Sequence, residues 1–208
     1  MIQQSPIEER WNWITHGFGF ILSIVGLFLL IIYNSNKTSY GIIGILLYSG
    51  SLLFLYFAST AYHYSSNVSL KRKFRIMDHI GIYLLIAGTY APVTLITLIH
   101  SKGVLLFILV WSFALIGSVL KLFFTGKFEI VSIILYLLMG WLIMLDIQTL
   151  SDIVGSAAIN YLMLGGGAYT VGIIFYALKR MPFAHVIWHL FVLAGSIFHF
   201  LFILKFII

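Results

Sequence analysis

Cysteine is absent from this chain of 208 residues. Disulfide bonds, thiolate zinc sites and cysteine nucleophiles are therefore excluded, and any bound metal has to be held by His, Asp or Glu. Charge is also scarce, because only 9% of the residues are Asp, Glu, Lys or Arg, whereas 62% are hydrophobic. With a mean hydropathy of +1.08, the composition lies far outside that of soluble domains. The sequence predicts an integral membrane protein.

The excess of basic residues does not indicate a nucleic-acid partner. The net charge is +6, but the Lys and Arg residues fall between apolar runs, where they act as topology signals. Residues 1–10 are polar and include Glu8 and Glu9, so we expect no cleaved signal peptide and a first apolar run that stays in the membrane. The expected partners are membrane lipids, and the expected location is the cell membrane.

Seven apolar runs are each long enough, or nearly so, to cross a hydrocarbon core that needs about 20 helical residues. They cover residues 13–33, 40–62, 77–99, 103–122, 130–148, 153–178 and 182–207. The fourth and fifth have the shortest uncharged cores, so one of them is expected to be short or tilted. Short connections leave no room for a soluble domain. We predict an all-α membrane protein, one seven-transmembrane-helix bundle over residues 1–208, with residues 1–12 as a short cytoplasmic segment.

Basic residues are distributed unevenly between the two sides of such a bundle. The amino terminus and the second, fourth and sixth loops share one side, which carries nine of them: Arg10, Lys71, Arg72, Lys73, Arg75, Lys121, Lys127, Lys179 and Arg180. The other side carries three: Lys37, Lys102 and Lys205. The positive-inside rule therefore places the amino terminus in the cytoplasm and the carboxyl terminus outside the cell.

Proline and glycine predict how the helices pack. Pro92 lies inside the third run and is expected to distort that helix. Glycines recur at close intervals in the first, second and sixth runs, which favours close helix packing over a role in substrate binding.

Two histidines four residues apart, His185 and His189, open the last run and share one face of a helix. Such a pair can hold one transition metal, and the alternative is a pair of packed or interfacial histidines. The predicted orientation places His63, at the end of the second run, and Asp78, at the start of the third, at the same depth. Because ionisable groups at membrane depth are costly unless they are paired or coordinated, this convergence favours one joint site.

The residue types in this group are those of a catalytic zinc site. Three neutral imidazoles and a water form a known arrangement, in which zinc lowers the pKa of the water toward ~7 and so provides a hydroxide nucleophile. Asp78 is expected to contact the metal through that water and to take its proton. Ser59, one turn before His63, is placed to donate to a ligand, a water or an oxyanion, and the alternative is a bond to a helix carbonyl. Imidazole ligands also suit other first-row ions, so zinc is one of several metals that fit.

Three further histidines receive other interpretations. For His16, interfacial hydrogen bonding is favoured over a role beside the metal ligands. His79 points away from the direction of Asp78 and is not expected to be a ligand. His199 lies about 15 Å beyond His189 along the helix axis and cannot bind the same ion. For His199, hydrogen bonding between helices is favoured over the lining of a substrate cavity.

Nearly the whole chain resembles the hemolysin III family and, more distantly, the progestin and adipoQ receptors, which include the adiponectin receptors. The resemblance rests on motifs that follow one another in order: Glu9-Arg10-Trp11-Asn12 leading to Thr15-His16, Ser59 with His63, Asp78-His79 followed by Ile86-Ala87-Gly88-Thr89-Tyr90-Ala91-Pro92, and Pro182 with His185, Trp188 and His189. One departure is Ala91, where much of the family is expected to have Thr, and this position is not a proposed ligand.

The resemblance implies a seven-helix fold with an intracellular amino terminus and a zinc ion held by His63, His185 and His189, with Asp78 reaching the metal through water. Adiponectin receptors and the related alkaline ceramidases look like intramembrane hydrolases of lipid amides. The hemolysin III name instead implies lysis of red cells, attributed to pore formation.

Three functional hypotheses follow. The leading one is a zinc-dependent, ceramidase-like intramembrane hydrolase of lipid amide or ester bonds. The second is a membrane-lytic, pore-forming protein with a structural zinc, which would require a homo-oligomer. The apolar runs are typical of permanent membrane spans, and none is a long amphipathic stretch that would insert from a soluble form. This pattern is evidence against the second hypothesis. The third is a receptor-like signalling protein, for which the short loops offer little docking surface.

Overall fold

The computed structural model describes residues 4–178 and 180–208, and within these residues every regular element is a helix. The α-helices are α1 Pro6–Ile32, α2 Gly41–Tyr64, α3 Val68–Pro92, α4 Gly103–Phe124, α5 Glu129–Trp141, α6 Ile147–Ala177 and α7 Ala184–Phe202. Two π-helical segments, Val93–Thr97 and Ile203–Ile207, continue α3 and α7, and the 3-10 segment Leu142–Asp146 joins α5 to α6. The all-α prediction is confirmed.

Within the described residues, six helical runs are long and apolar enough to cross a membrane. Five of them each correspond to one predicted span: Pro6–Ile32, Gly41–Tyr64, Val68–Thr97, Gly103–Phe124 and Ala184–Ile207. The remaining run, Glu129–Ala177, has 49 residues and contains the other two predicted spans. It is interrupted at Gly155, where φ is 80° and ψ is 167°, a conformation that residues with a Cβ rarely adopt. The chain is a multi-pass membrane protein.

Two helices begin earlier than the apolar pattern predicts, because capping side chains extend them. α1 begins at Pro6, since the Ser5 hydroxyl accepts a hydrogen bond from the Glu8 amide at 3.2 Å and Glu8 Oε2 accepts one from the Ser5 amide at 2.8 Å. This reciprocal pair is a capping box. α3 begins at Val68, since Asn67 Oδ1 accepts hydrogen bonds from the amides of Ser69 and Leu70 at 3.0 Å each. Charged residues that were predicted to precede these helices therefore lie inside them, in the first two or three turns.

Pro92 changes the type of the third helix without ending it. The chain continues beyond Pro92 as the π-helix Val93–Thr97, a form of helix that is often associated with kinks. The predicted irregularity at this position is therefore present. The predicted packing role of glycine is confirmed at Gly19 and Gly172, where an added Cβ would lie 2.5 Å from a ring atom of Tyr56 and 2.8 Å from Phe191 Cβ.

One end of the bundle contains the carboxyl end of α2 and the amino ends of α1, α3 and α7. The backbone amide of Phe183, just before α7, donates to Glu8 Oε1 of α1 at 2.7 Å. Lys71 of α3 forms an ion pair with Glu9 of α1 at 2.9 Å. We call this the histidine end, because His63 lies in the last turn of α2.

The opposite end contains the three lysines that were predicted to share one side. Lys37 Nζ donates to the carbonyl of Ile207 at 2.9 Å. The Lys102 amide, at the start of α4, donates to Asp146 Oδ2 at 3.0 Å. Lys205 Nζ is 3.4 Å from the hydroxyl of Tyr161 in α6. These contacts bring the end of α5, the middle of α6 and the ends of α1 and α7 to one end of the molecule.

Between the two ends, the interior is filled by aromatic and aliphatic side chains. The core includes Tyr48 and Tyr56 of α2 and Tyr83 of α3, which are at most 1% exposed. The outward faces carry exposed apolar side chains such as Phe28 and Leu115, as expected for helices that face lipid.

Candidate metal centre

Three histidines converge at the histidine end of the bundle. His63 from α2 and His185 and His189 from α7 each offer a ring nitrogen, and these nitrogens all lie within 4.8 Å of one another. The ring centroids are 5.2 Å apart for His63 and His185, 5.0 Å for His63 and His189, and 4.6 Å for His185 and His189. The predicted convergence of α2 and α7 on one point is therefore present.

The donor set fits a metal ion. The Nε2 atoms of His63 and His185 are buried and have no hydrogen-bond partner among the described residues. Buried polar atoms without a partner are costly, and a coordinated cation would satisfy both. Imidazole nitrogens are common ligands of zinc and of other first-row ions.

His63 is oriented by a carboxylate from α1. Its Nδ1 is 2.7 Å from Glu9 Oε2, and because an ionised carboxylate only accepts hydrogen bonds, Nδ1 is the donor. The proton on Nδ1 leaves the Nε2 lone pair of His63 free for a metal. The other oxygen of Glu9 is paired with Lys71 at 2.9 Å. A carboxylate that accepts a hydrogen bond from one ring nitrogen of a histidine is a recurrent way to orient a ring whose other nitrogen binds a metal.

His189 of α7 is oriented by the backbone of α1. Its Nδ1 is 3.3 Å from the carbonyl oxygen of Asn12 and 3.4 Å from the Thr15 hydroxyl. Since the carbonyl only accepts, Nδ1 is the donor in that bond, and Nε2 of His189 is the atom left to coordinate. α1 therefore orients histidines on both α2 and α7.

His16 lies against the cluster. Its ring stacks on that of His189 with a centroid separation of 3.5 Å and an angle of 10°, and an edge contact with Tyr56 closes the other side at 5.0 Å. Only 2% of His16 is exposed, so the interpretation as an interfacial residue is wrong. Glu9, Asn12 and His16 follow the spacing i, i+3, i+7, which explains how one face of α1 covers the site.

The two proposed catalytic side chains are both buried. Ser59 is fully buried, and its hydroxyl has no hydrogen-bond partner among the described residues, so the alternative of a bond to a helix carbonyl is not realised. Asp78 is 8% exposed. Among the described residues, the side chains whose possible ligand atoms all lie within 4.8 Å of one another are the three histidines, and Asp78 is not one of them. Its role through a water stays a prediction.

The remaining histidines are structural in their contacts. His79 Nδ1 donates to the carbonyl of Arg75 at 2.8 Å, and its ring is not in the metal cluster, as predicted. The same nitrogen is 3.8 Å from Asp78 Oδ2, so the two side chains approach more closely than the helical spacing indicated. His199 Nε2 donates to the carbonyl of Leu162 at 3.2 Å, which confirms the favoured role of joining α7 to α6.

Comparison with known proteins agrees with this arrangement of motifs. The family described as Haemolysin-III related matches residues 4–200. The chain belongs to the hemolysin III family. It is 44% identical over 190 residues to the Hemolysin-3 homolog of Bacillus subtilis, a match that covers 91% of this chain and 89% of that relative. It is 43% identical over 190 residues to Hemolysin-3 of Bacillus cereus, with 91% and 87% covered.

A more distant human relative of this hemolysin III chain is the monocyte to macrophage differentiation factor. The identity is 28% over 206 residues, which cover 96% of this chain and 84% of the relative. No solved structure matches the chain. The resemblance predicted from the motifs is thus confirmed at the level of the family.

Sequence reasoning missed the part that α1 plays in this hemolysin III site. Glu8 was interpreted only as a polar residue ahead of the first span, and Glu9 was named in a family motif without a role, although Ser5 and Glu8 have the spacing of a capping box. A helix that starts at Pro6 aligns Glu9 with Asn12 and His16, so this spacing is the signal that would have identified the contribution of Glu9.

Replacing Glu9 by Gln is expected to weaken metal binding by about 10- to 100-fold, the usual cost of losing a group that orients a histidine ligand. The neutral amide no longer attracts the proton on His63 Nδ1 and loses the ion pair with Lys71. The dissociation constant should be measured by competition with a chromophoric chelator. Glu8→Gln is the matched control, because Gln also completes a capping box. Equal affinities for both variants and the wild type would contradict the assignment.

Proposed function

We propose that this hemolysin III protein is a zinc-dependent intramembrane hydrolase of lipid amide or ester bonds. The observation that carries the proposal is the cluster of His63, His185 and His189, in which two ring nitrogens are buried without a partner. Three histidine ligands leave one coordination position open, and this open position distinguishes catalytic from structural zinc sites.

Zinc, when it is bound, supplies a Lewis acid that polarises a carbonyl and lowers the pKa of a water. The residues of the chain have separate roles in the proposal. Glu9 and the carbonyl of Asn12 hold the imidazoles of His63 and His189 through Nδ1, so that their Nε2 atoms would be available to bind the ion. Ser59 keeps a hydroxyl donor unoccupied beside His63, available for the oxygen that gains negative charge in the transition state. Asp78 holds the proton that the attacking water loses.

The unequal burial of the three histidines supports entry of the substrate from the bilayer. His185 is only partly buried, whereas His63 and His189 are buried, so we infer that the scissile carbonyl approaches from the side of His185. The outer faces of the helices are apolar and suit an acyl chain. The proposed partners are therefore membrane lipids, one of which is the substrate.

We also infer seven membrane crossings with the histidine end in the cytoplasm. A continuous helix of 49 residues would be about 74 Å long, more than twice the ~30 Å of a hydrocarbon core. The break at Gly155 and the contact of Asp146 with Lys102 at the opposite end support a reversal of direction inside this run. The excess of Lys and Arg at the histidine end supports its cytoplasmic location.

The absence of cysteine makes this topology directly testable. In intact cells, an impermeant maleimide should label Lys37→Cys without lysis and label Lys73→Cys only after lysis. The reverse pattern would place the histidine end outside the cell.

The hydrolase proposal is tested by product release from defined lipids. Purified protein in mixed micelles should release fatty acid from a ceramide-like amide or from an acyl ester, lose that activity after dialysis against a strong chelator, and regain it when zinc is added back. Release that continues unchanged after verified removal of the metal would contradict the proposal. Absence of release from both lipid classes by the zinc-loaded protein would also contradict it.

The names of the bacterial relatives favour a second candidate, a membrane-lytic protein. Both are called Hemolysin-3 or its homolog, and lysis would be carried out by a homo-oligomer in which zinc is structural. This candidate predicts dye leakage from vesicles that is unaffected by Asp78→Asn. The filled interior around Tyr48, Tyr56 and Tyr83 offers little support for a pore within one chain.

A further inference from the structure

We infer that the turn between α4 and α5, together with the first part of α3, binds the phosphodiester headgroup of an anionic membrane lipid. This site is separate from the three histidines and does not depend on the proposed hydrolysis. It is formed by Lys121 near the end of α4, Lys127 in the turn and Arg75 of α3.

The first observation is that Lys121 is buried. Only 2% of this lysine is exposed, although lysine is almost never fully buried unless it is paired. The structure gives its ammonium group no ion pair with a carboxylate among the described residues. Glu129, whose carboxylate favours the charged form of Lys121, and Arg75, whose guanidinium opposes it, both act on this lysine electrostatically, so the carboxylate offsets only part of the positive charge of the two cations. A buried ammonium group of this kind favours an anion from outside the chain.

A second cation lies next to Lys121 in the same crevice. The crevice is a shallow surface depression lined by Lys121, Lys127 and the hydroxyl-bearing Ser132. The turn that brings Lys127 here is held by two left-handed residues, Gly126 with φ 85° and Phe128 with φ 54°. The two ammonium groups offer the donors that phosphate oxygens require, whereas the Ser132 hydroxyl already donates to the carbonyl of Phe128 at 3.4 Å.

Arg75 brings a third cation to the same turn. A Cβ added to Gly126 would lie 3.2 Å from Nη2 of Arg75, so the guanidinium packs directly against the backbone of the turn. Charges from α3, α4 and the connecting turn therefore meet at one place on the histidine end. Basic pockets between transmembrane helices, at the level of the headgroups, are typical sites for anionic lipids.

The apolar rim of the crevice favours a lipid over free phosphate. Phe124, Phe128 and Val131 line the crevice and are 42%, 62% and 45% exposed. These side chains are continuous with the lipid-facing surfaces of α4 and α5. They would contact the glycerol and upper acyl carbons of a phospholipid whose phosphate lies at Lys121, whereas inorganic phosphate would leave them without a partner.

The test compares lipid binding by the full-length, metal-loaded protein and two variants. Native mass spectrometry of delipidated protein should show tighter binding of phosphatidylglycerol than of phosphatidylcholine. Lys121→Met and Lys127→Met should each weaken phosphatidylglycerol binding by about fivefold or more, because each cation near a lipid headgroup contributes to this extent. The use of two variants keeps the test valid if one of them fails to fold.

Lys73→Met is the matched control, because it removes the same charge from an exposed position on α3. We expect less than a twofold change in phosphatidylglycerol binding. Equal binding of the two lipids by the wild type would overturn the inference, as would unchanged affinity in both crevice variants. Displacement of the lipid by millimolar inorganic phosphate would overturn the assignment to a lipid and leave only a general anion site.

Discussion

Replacing His185 by Ala should reduce bound zinc from about one ion per chain to almost none and abolish lipid hydrolysis. Two histidines would remain, and structural and catalytic zinc sites use at least three protein ligands. Loss of an orienting group alone typically costs about 10- to 100-fold in metal affinity, so loss of a ligand should exceed about 100-fold. His185 Nε2 has no other partner among the described residues, so the substitution breaks no hydrogen bond of that atom.

Elemental analysis and fatty-acid release, measured on the same preparation, test this expectation. His199→Ala is the control, because His199 is also a buried histidine of α7 but bonds to Leu162 of α6. This control should retain its metal. Equal zinc content in His185→Ala and wild type would show that His185 is not a ligand. Loss of zinc in both histidine variants would indicate a general loss of structure.

Replacing Asp78 by Asn should lower the rate of hydrolysis by about 10²- to 10⁴-fold while the metal content stays unchanged. This is the usual contribution of a general acid or base. Asp78 is buried but does not belong to the group of ligand atoms within 4.8 Å of one another. The amide keeps the size of the carboxylate and cannot accept a proton.

The rate and the zinc content should be measured together. Asp146→Asn removes another buried carboxylate, 5% exposed and bonded to the Lys102 amide at the opposite end, so it controls for the loss of charge. It should leave hydrolysis unchanged. If zinc is lost together with activity in Asp78→Asn, Asp78 is a direct ligand. If activity is retained, its role as a proton acceptor is excluded.

Hydropathy and charge predicted the parts of this molecule that depend on burial in lipid. Apolar runs are a property of the chain order, so they predicted five of the membrane-spanning helices and the positions of His63, His185 and His189 at helix ends without knowledge of contacts. The cluster of three histidines that could hold a metal ion was then predicted from their shared end of the bundle.

The support of the ligands depends on contacts that hydropathy does not encode. The hydrogen bond of His63 with Glu9 is predictable only when α1 is extended to Pro6 by its cap. The stacking of His16 on His189 depends on the rotation of α1 about its own axis. The break at Gly155 occurs in a run rich in glycine, where composition does not identify the residue that adopts a positive φ.

X-ray absorption at the zinc edge of the purified wild-type protein is the most direct test of the metal centre. The account predicts one ion per chain with three imidazole nitrogens at about 2.0–2.1 Å and one further light atom as the fourth ligand. A spectrum without imidazole scattering, or a protein that binds no ion at micromolar zinc, would contradict it.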